Sequence, residues 1–240
     1  MSIKNKTLVN SIRRNDKYFE DFITRSVYHS NAIEGNTLSY YETYQIIFNC
    51  SSDDTLQNVK PRELYEAINL KYAMDYIFRH LYEDMTIECI QHIGKIINKN
   101  INDIDGFRTT SVFKAGAEHM PPEAADVPRL MNELLFTSFK SDDFIYDLAN
   151  FHIRYERIHP FTDGNGRSGR VLINKLALQN GYAPFVIPKD KRTLYMNLLA
   201  DCDIMGLKSM IEQLMNDEVY RMQQFGIDSE KASVKKIDSF

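Results

Sequence analysis

Glycine and proline are scarce in this 240-residue chain, at ten and seven residues, and most lie between helical stretches rather than inside them. No internal repeat and no low-complexity tract is present, which excludes solenoid and fibrous organisation. The three cysteines, Cys50, Cys89 and Cys202, are far apart and odd in number. They supply neither a metal-ligand spacing nor a disulfide framework, so they are expected to be reduced, packed thiols. Positive charge is not in excess: 29 Lys and Arg stand against 33 Asp and Glu, for a net charge of -4 and a pI near 5.9. That balance speaks against a general nucleic-acid binder. Met1 to Arg14 has no apolar h-region, and no apolar run approaches a membrane span. A soluble, cytoplasmic protein is the expectation, with no membrane and no nucleic-acid partner.

What the chain does have is apolar residues, 43% of the total, enough for one large domain with a sizeable core. Ala67, Leu70, Met74, Ile77 and Leu81 recur at helical spacing, as do Phe144, Leu148, Phe151, Tyr155 and Ile158, and Leu207, Met210, Ile211 and Leu214. Each set is one buried stripe of a helix. The pattern predicts helices near 17–34, 39–49, 61–82, 86–99, 124–139, 143–158, 165–180, 189–204 and 206–224. Thr86 and Asp143 are candidate N-caps, and Gly35 and Gly181 stand where a glycine stop would.

One segment departs from helical periodicity. Thr110 to Met120 reads TSVFKAGAEHM, with Gly116 near its middle and Pro121-Pro122 after it. A short hairpin or extended flap is expected there, leaning on the helices. The fold class that follows is all-α, a helical bundle with a short β-hairpin flap.

The densest chemistry lies in residues 159–170, HPFTDGNGRSGR. The stripe ending at Ile158 is followed by His159 and by Pro160, which stops a helix. A new apolar face then begins with Leu172, Ile173 and Leu176. Between the two helices, Gly164-Asn165-Gly166 permits backbone conformations in which successive N–H groups converge on an anion, at a helix start that already favours negative charge. Arg167 and Arg170 are three apart and are donors suited to phosphate oxygens. Asp163 places one carboxylate beside this cradle, and Mg²⁺ is commonly held by one or two carboxylates plus substrate phosphates. His159, whose imidazole ordinarily titrates near ~6.5, can take a proton at neutral pH. A base, a metal ligand, an anion nest and two cationic clamps within twelve residues describe phosphoryl or nucleotidyl transfer.

The segment resembles the motif of the Fic (filamentation induced by cAMP) family, HPFx[D/E]GNGRxxR, with every specified position filled. The resemblance extends upstream through Gly106-Phe107-Arg108-Thr109 and covers roughly residues 60–205. It implies a Fic-fold helical bundle and a protein adenylyltransferase using ATP and Mg²⁺. His159 would be the base that deprotonates a target Ser, Thr or Tyr hydroxyl, and Asp163 the metal ligand. Gly164, Asn165 and Gly166 would form the phosphate loop, with Arg167 and Arg170 as polyphosphate contacts and Phe161 as the packing anchor of that cofactor-binding segment. The presence of both Gly164 and Gly166 favours AMP transfer over the phosphate transfer of kinase-like relatives. The flap, with Val112, Phe113, Lys114 and Met120, would pair with the target segment as an added strand. A homodimer is an expectation from the resemblance alone.

Residues 30–35 read SNAIEG. Ser30 and Glu34 share a helix face, and Gly35 puts Glu34 at that helix's C-terminal end, where the dipole disfavours a carboxylate. A compensating partner, such as an arginine, is expected. The string resembles the inhibitory motif [S/T]xxxE[G/N] of the Fic class with an N-terminal inhibitory helix (class II), which implies a Glu34–Arg170 pair. The expected organisation is an N-terminal extension over 1–59, a Fic core over 60–205, and a C-terminal helix and polar tail over 206–240. Removal of AMP, transfer of another nucleotide, and a non-catalytic nucleotide-sensing module are the alternatives.

Overall fold

From Arg167 to Leu178 every residue of one helix is buried, and the remaining helices are arranged around it. The computed structural model describes residues 3–49, 59–112 and 120–229. Ten α-helices occur among them: α1 (Ile3–Arg14), α2 (Asp16–Ile33), α3 (Tyr40–Tyr44), α4 (Pro61–Arg79), α5 (Ile87–Asn98), α6 (Val127–Thr137), α7 (Phe144–Ile158), α8 (Asn165–Gln179), α9 (Arg192–Ala200) and α10 (Ile204–Gln224). The central helix is α8. It contacts α2, α4, α5 and α7, while α6 and α10 pack on the far side of α7. A helix buried on nearly its whole circumference must lie in such a place, and its buried Arg167, Ser168, Arg170, Asn174 and Lys175 need partners there.

Side-chain caps fix where the helices begin. Asn15 accepts from the Tyr18 N–H, Thr86 from Cys89, Asp143 from Tyr146 and Asp203 from Gly206. Ser39 and Glu42 form a capping box at α3. Gly35 and Gly181 adopt φ of 96° and 81° after α2 and α8, the left-handed geometry of a helix stop.

Several elements differ from the sequence expectation. The expected 39–49 helix is α3 followed by a π-turn over Gln45–Asn49, and the 124–139 helix is a 3₁₀ turn (Ala124–Asp126) leading into α6, whose Pro128 is accommodated in the first turn. The 61–82 helix stops at Arg79, because the buried Lys175 ammonium takes the carbonyls of His80, Leu81 and Glu83 at 2.6, 3.3 and 2.9 Å. The 189–204 helix likewise splits into a 3₁₀ turn and α9. No helix was expected over α1, yet Leu8, Val9 and Ile12 are buried at helical spacing. The hairpin expected at 110–120 falls largely on residues 113–119, which lie outside the described residues; no strand occurs among the described ones, Val112 and Met120 included. Phe113 and Lys114, like Cys50, lie outside the described residues.

The first turns of α2 are tied to α10 by a partly buried charge network. Arg25 donates to both Glu218 carboxylate oxygens at 2.8 and 2.7 Å, and Tyr18 Oη donates to Glu218 at 2.8 Å. Asp21 accepts from Arg25 Nε at 2.8 Å and from Arg221 Nε at 2.7 Å. Glu218 is only 4% exposed, so removing it leaves Arg25 desolvated and without its principal partner. Glu218→Ala is expected to destabilise the chain by about 3 kcal/mol, read as a lower urea midpoint at unchanged m-value.

Candidate active site

The link between α7 and α8 is short, and its shape is imposed by neighbours. His159 leaves α7 with φ 52° and ψ 62°, a left-handed conformation that costs a non-glycine residue on the order of 1–2 kcal/mol. The surroundings hold it there. Arg108, 4% exposed, donates from Nε to the His159 carbonyl at 2.8 Å, from Nη1 to Thr110 at 3.2 Å and from Nη2 to Pro122 at 2.5 Å. Its own N–H donates to the Pro160 carbonyl at 2.9 Å. Burial pulls the Arg108 guanidinium below its usual range, against an opposing pull from Glu123. From α5, Asn98 Nδ2 donates to the Asp163 carbonyl at 3.1 Å, and from the turn after α5 Asn102 donates to Thr162 Oγ1 at 3.0 Å.

Phe161 is wholly buried, with its ring on Gly94 and 5.7 Å from that of Phe107. A Cβ on Gly94 would sit 2.4 Å from the Phe161 ring, so α5 must be bare at that point. Phe161 therefore anchors the loop by packing. Asn165 does the same by hydrogen bonding: its Nδ2 donates to the Phe161 carbonyl and its Oδ1 accepts from the Phe161 N–H, both at 2.8 Å. The Asn165 side chain is thus spent on the loop, leaving only its backbone to face a ligand. Gly164, at φ 76°, starts α8 against Ile97 and Asn98, where a Cβ would come within 2.8 Å of Ile97.

These constraints shape a cavity of about 230 Å³ bounded by His159, Asp163, Gly166, Arg167, Arg170, Glu34, Tyr195 and, from the flap segment, Val112. Met120 is exposed and is not part of that wall. His159 Nδ1 lies 3.3 Å from the Glu156 carbonyl. A carbonyl can only accept, so the bond places the proton on Nδ1 and leaves Nε2 as the basic nitrogen. Asp163 Oδ1 accepts from the Gly164 N–H at 2.6 Å and from Arg167 Nη2 at 3.3 Å. Arg167 is 2% exposed, and its Nη1 lies 3.4 Å from Glu66 on α4.

Glu34 caps α2 and meets Arg170 across 136 residues of sequence, with Arg170 Nη2 donating to its Oε1 at 2.8 Å. Arg170 Nε donates to Ser30 Oγ at 2.8 Å, and Nη2 also donates to the Ser30 carbonyl at 2.9 Å. Burial alone would lower the Arg170 pKa, but the charge and hydrogen bond of Glu34, together with Tyr195 and Glu156, outweigh it and the net shift is upward. A Cβ built on Gly166 would lie 2.2 Å from Glu34 Oε1. The carboxylate therefore sits on the first turn of α8, where the leading N–H groups have no intrahelical acceptor. That helix end offsets the unfavourable dipole of α2 at Glu34. Beside Arg170, His152 is buried with Nε2 2.6 Å from Tyr195 Oη, and burial followed by the Arg170 charge pushes its pKa down to about 3. It is a neutral spacer under the arginine.

The donors fit a polyphosphate. Arg167 Nε and Nη1 and Arg170 Nη1 are buried without a hydrogen-bond partner among the described residues, and such groups are costly unless something accepts from them. For a divalent cation the fit is narrower: among the described residues no cluster of three His, Cys, Asp or Glu side chains could hold one. Asp163 alone suits a Mg²⁺ that arrives with phosphates. Sequence reading missed Arg108, Glu66, Tyr195 and Arg62, whose Nη2 donates to Asp163 Oδ2 at 2.5 Å. Arg108 stood within the Gly106–Thr109 resemblance without an assigned role, whereas α4 and α9 carry no local signal of the site. Arg108→Ala is expected to cost about 3 kcal/mol in thermal or urea unfolding, since several carbonyls lose a charged donor at once, and Arg108→Lys should recover only part of it.

Comparison with known proteins places this geometry among relatives. Residues 84–177 match the Fic/DOC family. Proteins named protein adenylyltransferase Fic are similar: that of Drosophila erecta is 32% identical over 183 residues, and that of Drosophila melanogaster 33% over 181, each alignment covering 72% of this chain and 36% of the relative. The chain thus spans about a third of the length of the curated relatives it matches. A Fic-domain-containing signalling protein from Bacteroides thetaiotaomicron superposes with a TM-score of 0.74 at 22% identity, covering 98% of this chain and 97% of that one. Fic-1 from C. elegans gives 0.70 at 22% identity, covering 94% and 65%.

Proposed function

The chain carries a domain of the Fic/DOC family, and on that footing we propose that it transfers AMP from ATP to a Ser, Thr or Tyr hydroxyl of a protein, its own included, and that Glu34 restrains the transfer. One observation carries the reading: His159, the Asp163 carboxylate and the guanidinium groups of Arg167 and Arg170 all border one cavity at the start of α8. His159 Nε2 accepts the proton of the hydroxyl as its oxygen attacks the α-phosphorus, and the bond to pyrophosphate breaks. The α8 N-terminus and the two guanidinium groups stabilise the charge gathering on the phosphates. Mg²⁺ held by Asp163 would add neutralisation of the leaving pyrophosphate. The N-terminal extension over 1–59 carries the regulatory helix, 60–205 is the catalytic core, and 206–240 is a C-terminal helix and polar tail.

Glu34 restrains transfer by occupying both the arginine and the helix N-terminus that a terminal phosphate would use. Displacement of the reacting phosphate by about 1 Å can cost on the order of a hundredfold in rate. Support also comes from Arg192, whose Nε donates to the Ile33 carbonyl at 2.7 Å and fixes the end of α2.

The test uses ATP labelled at the α- or the γ-phosphate, Mg²⁺, and wild type, Glu34→Gly and Glu34→Gly/His159→Ala. Protein labelling from the α-label alone is expected, raised roughly ten- to a hundredfold by Glu34→Gly and reduced at least ~100-fold by His159→Ala. Labelling from the γ-label alone would make the chain a kinase and defeat the proposal, and equal rates for wild type and Glu34→Gly would remove the inhibitory role.

A further inference from the structure

Arg62 lies in the first turn of α4, outside the segment that matches the family, and has no packing reason to be where it is. Its side chain is 59% exposed. Glu66, one turn on, holds it by accepting from Nε at 3.0 Å. Glu66 is itself fixed, because its Oε2 accepts from Asn36 at 2.9 Å and its Oε1 also faces Arg167 at 3.4 Å. The anchored stem leaves Nη2 of Arg62 to reach Asp163 Oδ2 at 2.5 Å. The other oxygen of Asp163 is already taken by the Gly164 N–H and Arg167. Arg62 therefore covers the one carboxylate oxygen left for an incoming cation.

A divalent cation and a guanidinium compete for that oxygen, since like charges a few ångströms apart repel. Without either, Asp163 would face the phosphates of a bound nucleotide with only Arg167, on its other oxygen, to offset its charge. We propose that Arg62 is a resident counter-cation for Asp163: it neutralises the carboxylate when no metal is present and yields it to the metal that enters with the nucleotide. Glu66 keeps the displaced guanidinium at the rim of the cavity through Nε. The consequence is a site that binds nucleotide polyphosphate with or without metal and depends on metal less than a lone aspartate would. This rests on the nucleotide reading above but concerns binding alone, so it is tested without turnover.

The experiment is equilibrium titration of the non-hydrolysable α,β-methylene analogue of ATP, once in EDTA and once in saturating Mg²⁺, with wild type, Arg62→Ala, Arg62→Gln and Arg62→Lys. In wild type the ratio of the two dissociation constants is expected to be modest. Loss of the cation in Arg62→Ala and Arg62→Gln weakens binding in EDTA and preserves or tightens it in Mg²⁺, which raises the ratio about fivefold, a shift in keeping with a solvent-exposed ion pair. Arg62→Lys, which keeps the charge, stays near wild type. The two charge-removing variants guard against misfolding of either, with thermal melting as the check. An unchanged ratio, or equal loss of affinity in EDTA and in Mg²⁺, overturns the proposal by making Arg62 a bystander or a plain phosphate ligand. Absence of analogue binding by wild type in both buffers overturns it together with the nucleotide reading, whereas an unchanged ratio in a wild type that binds leaves that reading standing.

Discussion

A guanidinium buried at the start of a helix needs an anion, and Arg170 is that guanidinium. It is 5% exposed, its Nε and Nη2 are held by Ser30, and the charge on it is matched by Glu34. Every contact that gives α2 its position serves this pairing. The Arg25–Glu218 and Asp21–Arg221 pairs fix the beginning of the helix on α10, and Arg192 holds its last carbonyl. Asn36 and Thr37, just past the helix, are bound by Glu66 and Glu63 of α4. A helix fastened along its whole length delivers one carboxylate to one arginine with little freedom to wander.

The same economy governs the loop between α7 and α8. Residues that would ordinarily be suspected of touching a ligand, Phe161 and the Asn165 side chain, are committed to shape. Facing the cavity are residues with charge or a proton to exchange, His159, Asp163, Arg167 and Arg170 among them. His159 is held in a left-handed conformation by neighbours, chiefly Arg108, and not by its own preference. Strain of this kind persists only where the surroundings over-determine it, and three separate segments do so here.

Much of this was legible in the sequence. The apolar stripes of α4, α7 and α10, the caps at Thr86 and Asp143, and the glycine stops at Gly35 and Gly181 are local patterns, and local patterns suffice to place helices. The loop chemistry was legible because its parts are contiguous. What escaped depended on distance. Arg62 and Glu66 lie about a hundred residues from Asp163 and Arg167, and nothing in their own helix distinguishes them from solvated surface charges. Helix α1 escaped because its short apolar set is weak until α2 and α8 supply the surface it covers. The flap expected over 110–120, argued from Gly116, Pro121-Pro122 and the break in helical periodicity, lies mostly outside the described residues, and no strand occurs among those described.

The Arg108 side chain donates to backbone carbonyls alone, that of His159 on the loop and those of Thr110 and Pro122 beside it among them. Carbonyls do not titrate in water, and a guanidinium stays protonated across the range in which carboxylates and imidazoles change state. The scaffold of the site is thereby insulated from acidity, while the groups that do its chemistry are not. The bonds by which Arg108 holds His159 therefore survive a change of pH that would reach any carboxylate-made contact.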